Sequence, residues 1–175
     1  MSKSELIDLV KQSQSFHRTN QFRVDFVLPE GLRGDFDTAR LSLNCFSAKI
    51  PGYSIENFEH EKSGAPKTFH AASIQHGEAQ FTFYTSKDFS EFTLFDKWRK
   101  LAINDETGKL GYFNDYVSSV HVVPLSNNTR RLMNIELIEC KPTTLGETDL
   151  SWKSENEISE MTVSMSYTRY IPTIN

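Results

Sequence analysis

The sequence predicts a mainly β fold, a β-sandwich or open barrel with one flanking α-helix. Three observations carry this. Apolar residues recur at every second position in several separate runs, a sustained helical period occurs in a single mid-chain segment, and turn residues punctuate the alternating runs. No internal repeat, low-complexity tract or linker divides the 175 residues, a length ordinary for one domain. Residues 1–19 read as an N-terminal extension and residues 20–175 as the β domain.

The extension carries a short helical pattern over residues 4–12. Leu6, Leu9 and Val10 share a face beside Ile7, and Ser2 with Glu5 fits a capping box. A helix this short needs something to dock on. From Gln21 the period changes to two: Phe22, Val24, Phe26 and Leu28 alternate with Arg23, Asp25 and Val27, a half-buried strand. Pro29-Glu30-Gly31 is a turn and Arg33–Thr38 a loop. Arg40–Ile50 reads as a second strand, stopped by Pro51-Gly52. Tyr53–Lys67 has no clear period and reads as a long irregular connection, of a length that often marks an interface.

Strands resume at Thr68–Gln75 and Glu78–Thr85 across His76-Gly77. Asp88–Ala102 is the convincing helix. Leu94, Phe95, Trp98, Leu101 and Ala102 form its apolar stripe, and Asp88 with Glu91 fits a capping box. Asp105–Gly108 is a turn. Tyr116–Val123 and Arg131–Cys140 are two strands joined over Ser126-Asn127-Asn128, Pro142–Gly146 is a loop, and Ile158–Ile171 is one long final strand.

Composition excludes several functions. No apolar run approaches the roughly 18 to 20 residues of a membrane-spanning helix, and the N-terminus lacks the basic-then-apolar pattern of a secretory signal. A net charge of −4 argues against an ordinary nucleic-acid binder, which needs a basic face. Cys45 and Cys140, the two cysteines, stand far apart and read as buried thiols. The five histidines show no metal-ligand spacing, and neither a nucleophile elbow nor a phosphate-binding loop occurs. Glu155, Glu157 and Glu160 read as a solvated or subunit-facing edge in preference to acid–base carboxylates. No catalytic residue, metal ligand or cofactor site is assigned.

The last strand splits by parity. Met161, Val163, Met165 and Tyr167 make an apolar face; Thr162, Ser164, Ser166 and Thr168 make a hydroxylated one. Ser and Thr suit any exposed strand, but a row with almost no charge also suits the wet, non-adhesive lining of a pore.

Certain segments resemble the tail tube protein family of contractile-tailed bacteriophages. The most specific is Cys140-Lys141-Pro142-Thr143-Thr144-Leu145-Gly146-Glu147 followed by Leu150-Ser151-Trp152-Lys153-Ser154-Glu155-Asn156-Glu157-Ile158. Asn20-Gln21-Phe22-Arg23-Val24, Ala48-Lys49-Ile50-Pro51-Gly52, and Phe95 with Trp98 on the mid-chain helix also fit, so the resemblance spans roughly residues 18 to 171. It implies a structural virion protein without enzymatic activity or cofactor. Six copies would form a ring and rings would stack into the inner tube that conducts DNA during ejection, the DNA passing without specific binding. Partners would be further copies, the tail sheath protein, the baseplate and the tube terminator, assembled in the host cytoplasm into the virion tail.

On this reading Gln80, Thr82, Thr162, Ser164, Ser166 and Thr168 line the channel. Glu56, Glu59, Glu61 and Lys62 belong to a loop that mates with the next ring, and Phe95, Trp98 and Trp152 are core or subunit interface. The extension before Asn20 and the longer turn at residues 29–38 depart from the family's shorter members. A baseplate tube initiator and the ring protein of type VI secretion share the domain. The rival from another class is a soluble β domain that binds a small ligand, which would show a monomer with an apolar pocket and convergent polar groups.

Overall fold

The computed structural model describes residues 20–60, 68–126, 131–148 and 158–174. The helical pattern at residues 4–12 therefore lies outside the described residues, as do Glu61, Lys62, Trp152, Glu155 and Glu157.

The core is a seven-stranded antiparallel sheet. It contains β1 (Phe22–Phe26), β2 (Cys45–Lys49), β5 (Ala79–Tyr84), β8 (Ser118–Pro124), β9 (Met133–Leu145), β10 (Glu160–Ser166) and β11 (Arg169–Ile174). Its order is β1-β8-β9-β10-β5-β2, with β11 also on β9. The N-terminal part of β9 pairs with β8 and β11, and its C-terminal part pairs with β10. Between them Glu139 takes a left-handed φ of 56°, where the strand bends. The two wings close on each other. Phe26 on β1 lies 5.3 Å from Phe81 and 5.7 Å from Phe83 on β5, ring centre to centre. This is the sandwich that the alternating runs predict.

Helix α2 (Ser90–Ala102) covers the open side of the core with Leu94, Phe95 and Trp98. Trp98 is 0% exposed, stacks on Phe95 at 6.2 Å, and donates its Nε1–H to the Tyr116 carbonyl at 2.6 Å. Phe95 and Trp98 are thus core residues of the single chain. After α2 come the small hairpin β6 (Ile103–Asn104) and β7 (Lys109–Leu110) and the turn-like helix α3 (Phe113–Tyr116). Gly111 lets the chain pass the end of α2, because a Cβ there would sit 2.0 Å from the Leu101 carbonyl oxygen. Cys45 and Cys140 are buried free thiols, and burial pushes both up to about 12.

Several boundaries differ from the sequence expectation. Arg40–Ile50 is not one strand: α1 (Thr38–Asn44) precedes β2, capped by Asp37, whose carboxylate accepts from the Ala39 and Arg40 amides. Pro142–Gly146 is not a loop, since β9 runs through Pro142 to Leu145. The final strand is two: β10 ends at Ser166 and β11 begins at Arg169, crossing from one wing to the other. Tyr116–Val123 begins in α3 and becomes strand only at Ser118.

The expected capping box of α2 is also absent. Its N-cap is Phe89, in a left-handed conformation with no side-chain cap, and Asp88 faces Arg40. Glu91 is instead 2% exposed, accepting from Asn44 Nδ2 at 2.6 Å, from the Ser86 hydroxyl, and from the Ser86 amide at 3.0 Å. Burial raises this carboxyl's pKa, but the hydrogen bonds from Ser86 and Asn44 outweigh it and hold the group below its ordinary value. A depressed folded pKa contributes stability that is present above the unfolded value, about 4.3, and is lost as pH falls through the folded one. We expect Glu91→Gln to destabilise the domain by about 1–3 kcal/mol at neutral pH, the gap to wild type closing as pH falls toward 3. Thermal melts of both proteins across that range check this, and parallel curves would contradict it.

Candidate assembly surfaces

Strands β3 (Tyr53–His60) and β4 (Thr68–His76) pair with each other and form a separate two-stranded sheet. The expected irregular connection is therefore in large part an arm built as a hairpin. At a rise of about 3.3 Å per residue the eight residues of β3 reach roughly 26 Å.

Register assigns its faces, since directly paired residues share one. One face carries Tyr53 opposite His76, Ile55 opposite Ile74, and Glu59 opposite Phe69; the other carries Ser54 opposite Gln75, Glu56 opposite Ser73, and Phe58 opposite His70. Tyr53, Ile55, Phe58, Phe69 and Ile74 are each at least half exposed, Phe69 by 70%. Glu56 accepts from the Ser73 hydroxyl and the Gln75 amide within the arm, and Phe58 stacks on His70 at 5.4 Å. The sequence reading singled out charges here; the structure adds an apolar ladder beside them.

A second surface is the outer face of β5 and β10. Thr162 pairs with Thr82 and Ser164 with Gln80, so these residues are brought together. The Thr162 and Thr82 hydroxyls lie 3.3 Å apart. Ser47 and Lys49 on β2, and Thr144 and Lys141 on β9, extend the same rows. Two features depart from expectation. Thr168 lies beyond the end of β10, its amide bonded to the Ile138 carbonyl, and so leaves the row. Ser164 is only 7% exposed, and the Ser166 hydroxyl is buried without a hydrogen-bond partner among the described residues. Small side chains in a central strand are shaded by their neighbours, so the wet part of this face is Gln80 and Thr82 more than the serines. Lys49 and Lys141 were not anticipated; only the cross-strand register reveals them.

A recess of about 560 Å³ is an open groove between β1 and α1 lined by Phe22, Leu43 and Leu125 among others. Leu43 is 84% exposed, so the groove is not the enclosed apolar pocket a ligand-binding domain would need. Among the described residues no group of three or more His, Cys, Asp or Glu side chains is placed to hold a metal ion, and no helix is long and apolar enough to cross a membrane.

A family model described as phage tail tube protein matches residues 17–173. No curated protein sequence matches the chain. Among solved structures, a chain of the anti-feeding prophage baseplate is similar with a TM-score of 0.69 at 15% identity, covering 91% of this chain and 96% of that one. A chain of the extended sheath–tube complex of PVC, an extracellular contractile injection system, is similar at 0.68 and 13% identity, covering 100% and 99%. A chain of the anti-feeding prophage tube-terminating cap is similar at 0.69 and 13%, covering 93% of each. At these identities the likeness is one of fold.

Proposed function

Since the chain belongs to the phage tail tube protein family, a structural component of a virion or particle tail and not an enzyme, we propose that it is the ring subunit of a tube whose copies join edge to edge in sixes and stack. The observation that carries this reading is the arm of β3 and β4. Among the described residues, five large apolar side chains stand exposed on a hairpin that pairs with no other strand. A two-stranded ribbon is marginal alone in water, and an apolar patch of this kind marks an interaction site. Another copy of the chain supplies the missing surface, and β2 and β11 at the sheet margins supply further edges that are unpaired among the described residues.

The similar chains come from a baseplate, a sheath–tube complex and a tube cap. The same neighbours are proposed for this one, assembled in the host cytoplasm, with DNA as the tube's cargo. The expected result is concentration-dependent rings or tubes by light scattering and negative-stain microscopy, faster when purified baseplates are added. A strict monomer under both conditions would overturn the reading. The face of Gln80, Thr82, Thr162 and Ser164 is proposed as the channel wall.

Gln80 is exposed and accepts a longer side chain without repacking. We expect Gln80→Lys to leave tube assembly intact and slow DNA ejection, with the defect eased by salt as phosphate attraction is screened. Normal ejection with a defect in sheath attachment alone would place this face outside.

A further inference from the structure

The arm and the body form one continuous ribbon with an interruption. Lys49 on β2 faces Gln80 on β5, Tyr53 on β3 faces His76 on β4, and between them Gly77 donates its amide to the Gly52 carbonyl at 3.2 Å. Both strands thus stay in register across a joint that neither sheet includes. Pro51, at the joint, has no amide to give.

The two glycines there are not required by the resting structure. Neither lies in the left-handed region, where only Gly34 and Gly108 stand among the described glycines. A Cβ at Gly52 would meet nothing within 4 Å, and one at Gly77 only the Gly52 carbonyl oxygen at 3.8 Å. Strand formers would fit both positions and continue the pairing. What glycine adds there is backbone freedom. The joint also divides a clamped half from a free one: β5 lies between β2 and β10, whereas among the described residues β3 and β4 pair only with each other.

One side chain at the joint ties the arm down. The His76 ring lies 5.5 Å from the ring of Tyr167, in the crossing from β10 to β11, and 5.7 Å from that of Tyr170 on β11. His76 Nδ1 and the Tyr167 hydroxyl are buried without hydrogen-bond partners among the described residues. A contact made of ring edges and unsatisfied polar atoms holds weakly.

We propose that Gly52 and Gly77 form a hinge, that His76 against Tyr167 and Tyr170 is its latch, and that the arm swings on this hinge to reach its seat on another copy. The seat rests on the proposed function; the hinge does not. The test places spin labels at Asn57 on the arm and Thr93 on α2, both exposed, while Cys45 and Cys140 escape labelling by burial. Distances are read by pulsed electron resonance on the free subunit. Wild type should give a broad distribution, Gly52→Val with Gly77→Val a narrower one, and His76→Ala a broader one.

The valine pair should melt no lower than wild type yet lose tube elongation. A width unchanged by the valines overturns the hinge, and a narrowed width with normal elongation overturns its part in assembly. If wild type itself never forms rings, the ring reading fails while the distance measurement still decides the hinge. Should the valine pair not fold, Gly52→Ala with Gly77→Ala serves as the milder variant under the same criteria.

Discussion

Replacing Tyr53–His76 by a two-residue Asn-Gly turn is expected to abolish tube growth and to leave the domain folded. The excision is possible because Gly52 and Gly77 face each other across a single hydrogen bond, the spacing a tight hairpin turn closes. Among the described residues the strands removed pair with no other strand, so the seven-stranded sheet keeps its partners there. What is lost is the apolar ladder of Tyr53, Ile55, Ile74 and Phe69, and apolar anchors dominate interface energies, whereas exposed ion pairs contribute about 0–1 kcal/mol each. The charges Glu56 and Glu59, together with Glu61 and Lys62 outside the described residues, are proposed to set register and salt sensitivity. Shortening only the tip, by deleting Glu59–Pro66, is the narrower version. Circular dichroism and light scattering on the same samples check both, and tubes growing at the normal rate would remove the arm from the assembly contact.

Trp98→Ala is the most destabilising single change expected within the fold. The side chain is fully buried, stacked on Phe95, and Phe95 in turn meets Phe26 on β1 and Phe83 on β5. Truncation opens a cavity where helix and both wings meet and leaves the Tyr116 carbonyl without its donor. The loss should be about 3–5 kcal/mol, a fall in Tm on the order of 10 °C for a domain of this size. Trp98→Phe keeps most of the ring volume and should cost less, so the difference between the two variants separates cavity from hydrogen bond. A melting temperature unchanged by the alanine would contradict the burial.

How far the sequence revealed this molecule depended on what each element faces. β1, β5 and β10 were legible because one face of each packs on the core and burial imposes a period of two: Val24 and Phe26, Phe81 and Phe83, Met161 and Val163 are all buried. The stripe of α2 was legible for the same reason. Of the arm, β4 was legible as the strand Thr68–Gln75, but β3 was not, because exposed residues on both faces leave nothing to select an alternation from Tyr53 to Glu59. Helix α1 was missed because only Leu41 on it is buried, although Asp37 two residues before Ala39 is a usable capping signal.

Pro142–Gly146 reads as a loop in the sequence, yet Pro142 pairs with Met165 at the irregularity between Ser164 and Met165, where a missing amide is tolerated. The hydroxyl row was visible by parity alone, but its shading by neighbours is a property of the sheet. Lys49 and Lys141 join that face only through cross-strand register.

The unbroken register between arm and body has a mechanical consequence. A pull on the arm runs lengthwise into β2 and β5, and β5 is held to β10 by six consecutive residue pairs from Glu160–Tyr84 to Met165–Ala79. Antiparallel hydrogen bonds lie across the strand direction, so such a load shears the whole set at once and cannot peel it pair by pair. The glycine joint bends under sideways force but is taut under tension. An axial load would therefore pass from one subunit to the next through bonds that share it.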